Sequence, residues 1–204
     1  MITWNIGLAS WIIQDGNYPD FSTGDQRRFA LEFGTQSLSP SLSKEVYVEH
    51  VSGARYTFAA DVVFLNDEVW VIDFGLPAYT EARPPQFVRQ GVRVEGELYL
   101  GVDPFTYMES LRNTPGMPSL FQDFRIERIL LESTPWIAGY FGATPTLVRD
   151  ETKESFVSIP KTDAWRDDNQ NAHYVLECTR LSPEPPTAPM EPTAEKHDGS
   201  NTIR

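Results

Sequence analysis

A chain of 204 residues is long enough to bury a sizeable core, and its formal net charge of −12 repels phosphate backbones and anionic membrane surfaces; such acidity serves solubility and would also suit a basic protein partner. Sixteen Pro and thirteen Gly punctuate a sequence rich in Phe, Tyr and Trp, a composition of short strands and loops rather than long helices. The single cysteine, Cys178, excludes an intrachain disulfide scaffold, the first residues lack the basic start of a signal peptide, and no apolar run reaches the ~20 residues that span a bilayer; a cytoplasmic protein with no membrane part is expected.

Residues 2–13 read as a first strand ending in Trp11-Ile12-Ile13. Residues 14–25 form a loop with three acids, two Gly, a Pro and the aromatics Tyr18 and Phe21 flanking Pro19-Asp20. Such a loop either packs its aromatics on the scaffold or offers them for binding, and Asp15, Tyr18, Asp20 and Phe21 are the candidate contacts. Phe29, Leu31 and Phe33 then alternate inward, with Arg28, Ala30 and Glu32 outward. Residues 34–43, with four Ser and one Pro, read as a mobile connection. Residues 44–51 form another strand, which Ser52-Gly53 turns into residues 54–65.

The stretch from Asp61 to Gly75 is a hairpin. Val62, Val63, Phe64 and Leu65 run into Asn66-Asp67, and Val69, Trp70, Val71, Ile72 and Phe74 run out. β-branched and aromatic residues fit a pleated surface, and Asn-Asp suits a tight turn. Both strands are apolar on both faces, so the hairpin belongs at the centre of a barrel or sandwich. With a two-residue turn Asp61 faces Ile72 and Asp73 faces Ala60, which puts the two carboxylates on opposite faces; only a one-residue bulge or a longer turn would set them opposite each other.

Residues 76–90, with Pro77, Pro84 and Pro85, read as a second loop with Tyr79 within it, and Asp73 shortly precedes it in the hairpin. In the next strand Val92, Val94, Leu98, Leu100 and Val102 share one face, and Arg93, Glu95, Glu97 and Tyr99 the other. Gly96 falls on the inner face, where a glycine marks a bend or bulge. Asp103-Pro104 is the N-cap and first position of the one short helix expected, with Phe105, Met108 and Leu111 inward and Pro115-Gly116 as its stop. Residues 124–132 form a strand whose parity slips between Ile126 and Ile129; residues 136–141, 156–159 and 173–178 are further strands. From Ser182 five prolines sit among acids and small polar residues, a disordered Pro-rich acidic tail over 182–204.

Gly24, Leu31 and Gly34 recur as Gly91, Leu98 and Gly101, and Phe58 and Trp70 recur as Phe124 and Trp136. This pseudo-repeat of about 66 residues divides the chain into a first β half (1–67) and a second (68–181) packed on it. The fold class expected is all-β with a small-barrel architecture and at most one short helix. It is built either as two fused OB/SH3-like halves or as one larger barrel or sandwich.

Chemical motifs are few. His50, His173 and His197 show no zinc spacing, and no phosphate loop or nucleophile elbow is present. Neither a metal nor a cofactor is expected. Cys178 reads as a small buried hydrophobe. The function expected is a non-catalytic binding or interaction module for a protein partner. Its contacts come from Asp15, Tyr18, Asp20, Phe21, Asp73, Tyr79 and Tyr99, on the two loops and the outer strand face. One alternative is an OB-like single-stranded nucleic-acid binder using Tyr99 beside Arg93, against which Glu95 and Glu97 work. The other is a hydrolase using two of Asp15, Asp20, Asp61, Asp73 and Asp103 converged in a cleft.

Overall fold

The computed structural model describes residues 2–142 and 144–181; the tail expected from residue 182 lies outside the described residues. The strands are, in chain order, β1 (Thr3–Ala9), β2 (Gln26–Phe29), β3 (Leu31–Pro40), β4 (Tyr47–Ser52), β5 (Arg55–Leu65), β6 (Trp70–Asp73) and β7 (Pro77–Thr80). After these come β8 (Arg93–Val102), β9 (Gln122–Glu132), β10 (Trp136–Phe141), β11 (Thr144–Arg149), β12 (Phe156–Ile159) and β13 (His173–Arg180).

Five strands close a barrel in the order β3-β7-β6-β5-β8 and back to β3. Its ladders are antiparallel except where β3 meets β7 in parallel at Glu32 and Tyr79. β8 is the shared strand. Over most of its length it pairs with both β5 and β3, and at Gly101 it meets Gly7 of β1 in parallel. Beyond β1 an outer sheet continues through β13 and β9 to β12, with β2 also on β9 and β4 on the outer edge of β5. Closing so small a barrel needs sharp coiling. At Gly96 a Cβ would stand 2.1 Å from the Ser37 carbonyl oxygen, and β3 bulges between Thr35 and Ser37 at the same point. The expected bend at Gly96 is where the barrel coils.

The central hairpin is buried on both faces because it divides two cores. Val62, Trp70, Ile72 and Phe74 face the main cluster, which also takes in Ile6, Leu8, Phe29, Phe58, Phe124 and Leu176. Phe64, Val69 and Val71 face a second cluster with Ala30, Tyr79, Tyr107 and Leu120. The two-residue-turn register does not hold. Leu65 pairs with Trp70 across a four-residue turn, and β5 bulges between Val62 and Phe64, so that Asp61 pairs with Asp73 and Val62 with Ile72. The extra residue, Val63, lets Val62 and Phe64 each reach a different core.

Other expectations are corrected in the same way. Trp11, Ile12 and Ile13 belong to a one-turn helix, α1 (Ser10–Gln14), because the chain turns once Ser10 N–H donates to the Ala172 carbonyl and lets Ile12 and Ile13 dip into the core. Residues 34–40 are not a connection but the second half of β3, paired with β8. The second loop supplies the barrel strand β7. Helical segments number more than one among the described residues: besides α1 there is a π-helical turn over Tyr107–Leu111, with Asp103 Oδ1 accepting from the Tyr107 N–H at 3.1 Å, and two 3-10 turns. The parity slip near Ile126 is a β9 bulge at Glu127, opposite the step from Glu177 to Cys178.

The barrel draws β3 and β5 from residues before 67 and β6, β7 and β8 from residues after it. Of the residues matched by the 66-residue recurrence, Phe58 and Phe124 both lie buried in the main core, but Trp70 is buried in a barrel strand whereas Trp136 lies 39% exposed on the separate β10–β11 hairpin. One barrel extended by an outer sheet therefore describes the chain. No helix among the described residues is long and apolar enough to cross a membrane.

Candidate functional site

Where β8 leaves the barrel and meets β1, two glycines face each other, Gly7 and Gly101. Tyr99, two residues earlier on β8, folds its ring across them. A Cβ on Gly7 would stand 1.7 Å from the Tyr99 hydroxyl, and one on Gly101 3.3 Å from its ring. The hydroxyl is thereby enclosed while the ring leaves the residue 42% exposed. Burial, and behind it the charges of Glu32 and Glu132, raise the phenol above its ordinary range and hold it neutral.

Tyr99 borders three cavities. One of about 240 Å³ runs between the β4–β5 turn (Ser52, Arg55), the outer sheet (Glu132, Phe156, His173) and Arg149 at the end of β11. A second of about 230 Å³ lies toward Gln36, Val51 and Tyr56. A third of about 250 Å³ is lined by Gly7, Trp11, Glu32, Gly101 and His173. The three lie along the seam between barrel and outer sheet and share Tyr99 as a wall, and the seam groove denotes them together.

The charged walls are fixed by their own partners. Arg55 donates to Ser52 Oγ at 2.6 Å and lies 3.4 Å from Glu154. Arg149 donates to the Thr134 carbonyl at 2.6 Å and pairs with Asp168, while its guanidinium stacks 3.9 Å from the centre of the Trp136 ring. Its Nε is buried with no hydrogen-bond partner, 3.8 Å from Glu132. Asp168, which holds this network, begins a run of positive φ with Asn169 and Gln170 (43°, 54° and 72°), a conformation most disfavoured for Gln170.

Glu32 is the unusual acid of the groove. No cation among the described residues pairs with it. Burial, and then the charges of Asp103 and Glu81, push its carboxyl up to about 7. Asp103 behind it is fully buried. Its Oδ1 accepts from the Tyr79 hydroxyl at 2.5 Å, and its Oδ2 has no partner. Burial raises this carboxyl too, against the pull of the Tyr79 and backbone hydrogen bonds.

Of the seven residues expected from sequence, Tyr99 is in the groove; the others are not brought to it. Phe21 is fully buried against Phe29 and Tyr18, and Tyr79 is 1% exposed, so neither presents a surface. Half-buried Tyr18 stands edge-on to Phe105. Asp20 accepts from Thr162 Oγ1 and the Ala164 N–H, tying the loop to the outer sheet. Asp15 ends α1, and Asp73 caps a turn by accepting from the Gly75 N–H at 2.8 Å. The residues 15–25 loop thus spends its aromatics on packing. Sequence reasoning missed Glu32, which reads as an ordinary outward acid of an alternating strand. It also missed Trp11, Arg55, Glu132 and Arg149, whose meeting depends on the β1–β8 seam. The Gly7 and Gly101 positions were the available signal, since neither ends a strand.

Among the described residues no group of three or more His, Cys, Asp or Glu side chains is arranged to hold a metal ion. Comparison with known proteins gives no family model, no curated protein and no solved structure that matches this chain significantly.

Proposed function

We propose that the chain is a non-catalytic binding protein that takes an extended segment of a partner protein in the seam groove. The observation that carries this reading is the common border of three cavities at the exposed ring of Tyr99. A flat aromatic face between fixed donors and acceptors suits the alternating apolar and polar demands of a polypeptide. Arg55, Arg149 and Glu132 sit preorganised, so little rotamer freedom is lost on binding. A cytoplasmic home goes with this reading, since the lone Cys178 is a free, buried thiol suited to a reducing compartment.

The alternatives have less support. A phosphate backbone would meet arginines that already face carboxylates, Arg55 with Glu154 and Arg149 with Asp168, on a chain of net charge −12. For a hydrolase built on the acids expected from sequence, none of Asp15, Asp20, Asp61, Asp73 or Asp103 lines the groove. Asp61 and Asp73 are opposed across the hairpin, but Asp61 is forked by Arg93 at 2.7 and 2.9 Å.

The test is selection of random peptides on the immobilised protein, followed by anisotropy titration against Tyr99→Ala and Arg55→Glu variants shown to be folded. The selected peptides should weaken by about tenfold or more on either variant, as for a central contact. Peptides that bind wild type and both variants equally would refute the groove as the site.

A further inference from the structure

We infer that the Trp11 end of the groove is a pocket for an organic cation, a basic side chain of the partner segment. This rests on the reading of the groove as a polypeptide site and names what that segment must carry.

The cavity of about 250 Å³ is too small for a drug-sized ligand but accommodates one long side chain. Its walls give such a side chain what it needs. Trp11, 49% exposed on α1, and the open ring of Tyr99 supply two aromatic faces for an aliphatic stem and a cationic head. Glu32 supplies the counter-charge from the same cavity, and the lack of side chains on Gly7 and Gly101 leaves room for the Tyr99 ring and the Glu32 carboxyl beside it.

The electrostatics ask for a cation that the described part of the chain does not provide. Glu32 on β3 is surrounded by the carboxylates of Asp103, just after β8, and Glu81, just after β7. The remaining titratable groups around it are the neutral phenols of Tyr79 and Tyr99 and the imidazole of His173, whose charged form would oppose a cation. Asp103 behind the cavity wall is fully buried with one carboxyl oxygen unpartnered, and no salt bridge among the described residues brings a cation to it. A hard metal ion is a poor occupant, because Glu32 is the one acid lining the cavity and metal ions of that kind take several oxygen ligands. A basic side chain needs one carboxylate and aromatic faces, and it complements a chain of net charge −12.

The test uses Nα-acetyl-lysine methylamide, Nα-acetyl-arginine methylamide and the uncharged norleucine analogue as probes. Each is titrated into the full chain at pH 6, 7 and 8 and followed by amide and indole NMR, with the Trp11 indole assigned by Trp11→Phe. The cationic probes should shift the Trp11 indole and the amides around Glu32. Their affinity should rise from pH 6 to 8, because Glu32 must shed its proton, and the norleucine probe should do nothing. Glu32→Gln should weaken the cations by about tenfold, while Asp73→Asn, remote from the groove, should bind like wild type. Trp11→Ala serves as the second pocket variant if Glu32→Gln proves unfolded, and should weaken them likewise. Equal binding of the norleucine probe, undiminished cation binding in a folded pocket variant, or no indole shift at tens of millimolar cation would each overturn the inference. Groove-selected peptides that tolerate replacement of every Lys and Arg by norleucine would also overturn it while leaving the groove reading intact. Peptides indifferent to Tyr99→Ala would remove both.

Discussion

The hydroxyl of Tyr99 occupies the space a side chain on Gly7 would need, at 1.7 Å from where its Cβ would stand. The two residues come from different strands, β8 and β1, and their contact sets the seam that carries the groove. Gly7→Ala must therefore displace the phenol. It is expected to cost about 1–3 kcal/mol by chemical denaturation, as overpacking of a close contact does. In a Tyr99→Ala background the same change should cost less than about 1 kcal/mol, since the clash is gone. Equal costs in both backgrounds would show that Gly7 is required for another reason.

Glu32 makes stability depend on pH. Its carboxyl stands at about 7 in the folded chain against an ordinary value of 4.5, with burial as the first cause. Below the ordinary value both folded and unfolded chains hold the proton and Glu32 contributes nothing. Between the two values the unfolded chain has ionised and the folded chain has not, so stability falls as pH rises, and above about 7 the penalty is constant. Glu32→Gln should flatten that slope and raise stability at pH 8 by on the order of 2 kcal/mol, discounted for partial solvent access. Denaturation midpoints at pH 4, 6 and 8 check this. An unchanged slope in the variant would remove Glu32 as its source.

Asp61 behaves in the opposite sense. The hydrogen bonds from Arg93 hold its carboxyl below the usual carboxylate range. The stability it gives is present above the ordinary value and lost as pH falls through the depressed one. The pair is partly exposed, with 42% of the Asp61 side chain accessible, so Asp61→Asn should cost less than about 1 kcal/mol. Peptides selected on the groove should bind Asp61→Asn and wild type alike. A loss of binding there would return the hairpin acids to the functional site.

The run of positive φ at Asp168, Asn169 and Gln170 stores strain that one substitution should release. Gln170 contributes through its carbonyl, which accepts from Ser10 Oγ at 2.9 Å and Gln14 Nε2 at 3.0 Å. Gln170→Gly keeps that carbonyl and relieves φ 72°, so thermal unfolding should show a gain of about 0.5–1 kcal/mol. Asp168→Ala should instead free Arg149 and weaken groove-selected peptides, because the carboxylate receives both the guanidinium and the Trp136 Nε1–H.

Much of the strand pattern was legible because burial on pleated elements writes itself as alternation. Val94, Leu98, Leu100 and Val102 are buried as their parity requires, and the slip near Ile126 is a bulge. The hairpin from Asp61 to Gly75 was legible as central, since only a strand between two cores is apolar on both sides. Its register was not, because a four-residue turn and a single bulged residue, Val63, together set Asp61 opposite Asp73, and local composition encodes neither. The short helix at Trp11 was missed because one turn of chain carries too little periodicity to differ from a strand end. The groove was least legible. Tyr99 could be placed on an outer face, but that face becomes a cavity only through the parallel contact of Gly7 with Gly101, 94 residues apart in number, which no local spacing announces.

The central claim is that partner segments bind along the seam around Tyr99. Hydrogen exchange of the full chain, with and without a groove-selected peptide at saturation, tests it most directly. The account predicts slowed exchange at residues 52–55, 99–101, 132–134 and 173–175, the walls and floor of the groove. Protection confined to residues 15–25 or to the β10–β11 hairpin, with the seam unchanged, would contradict it.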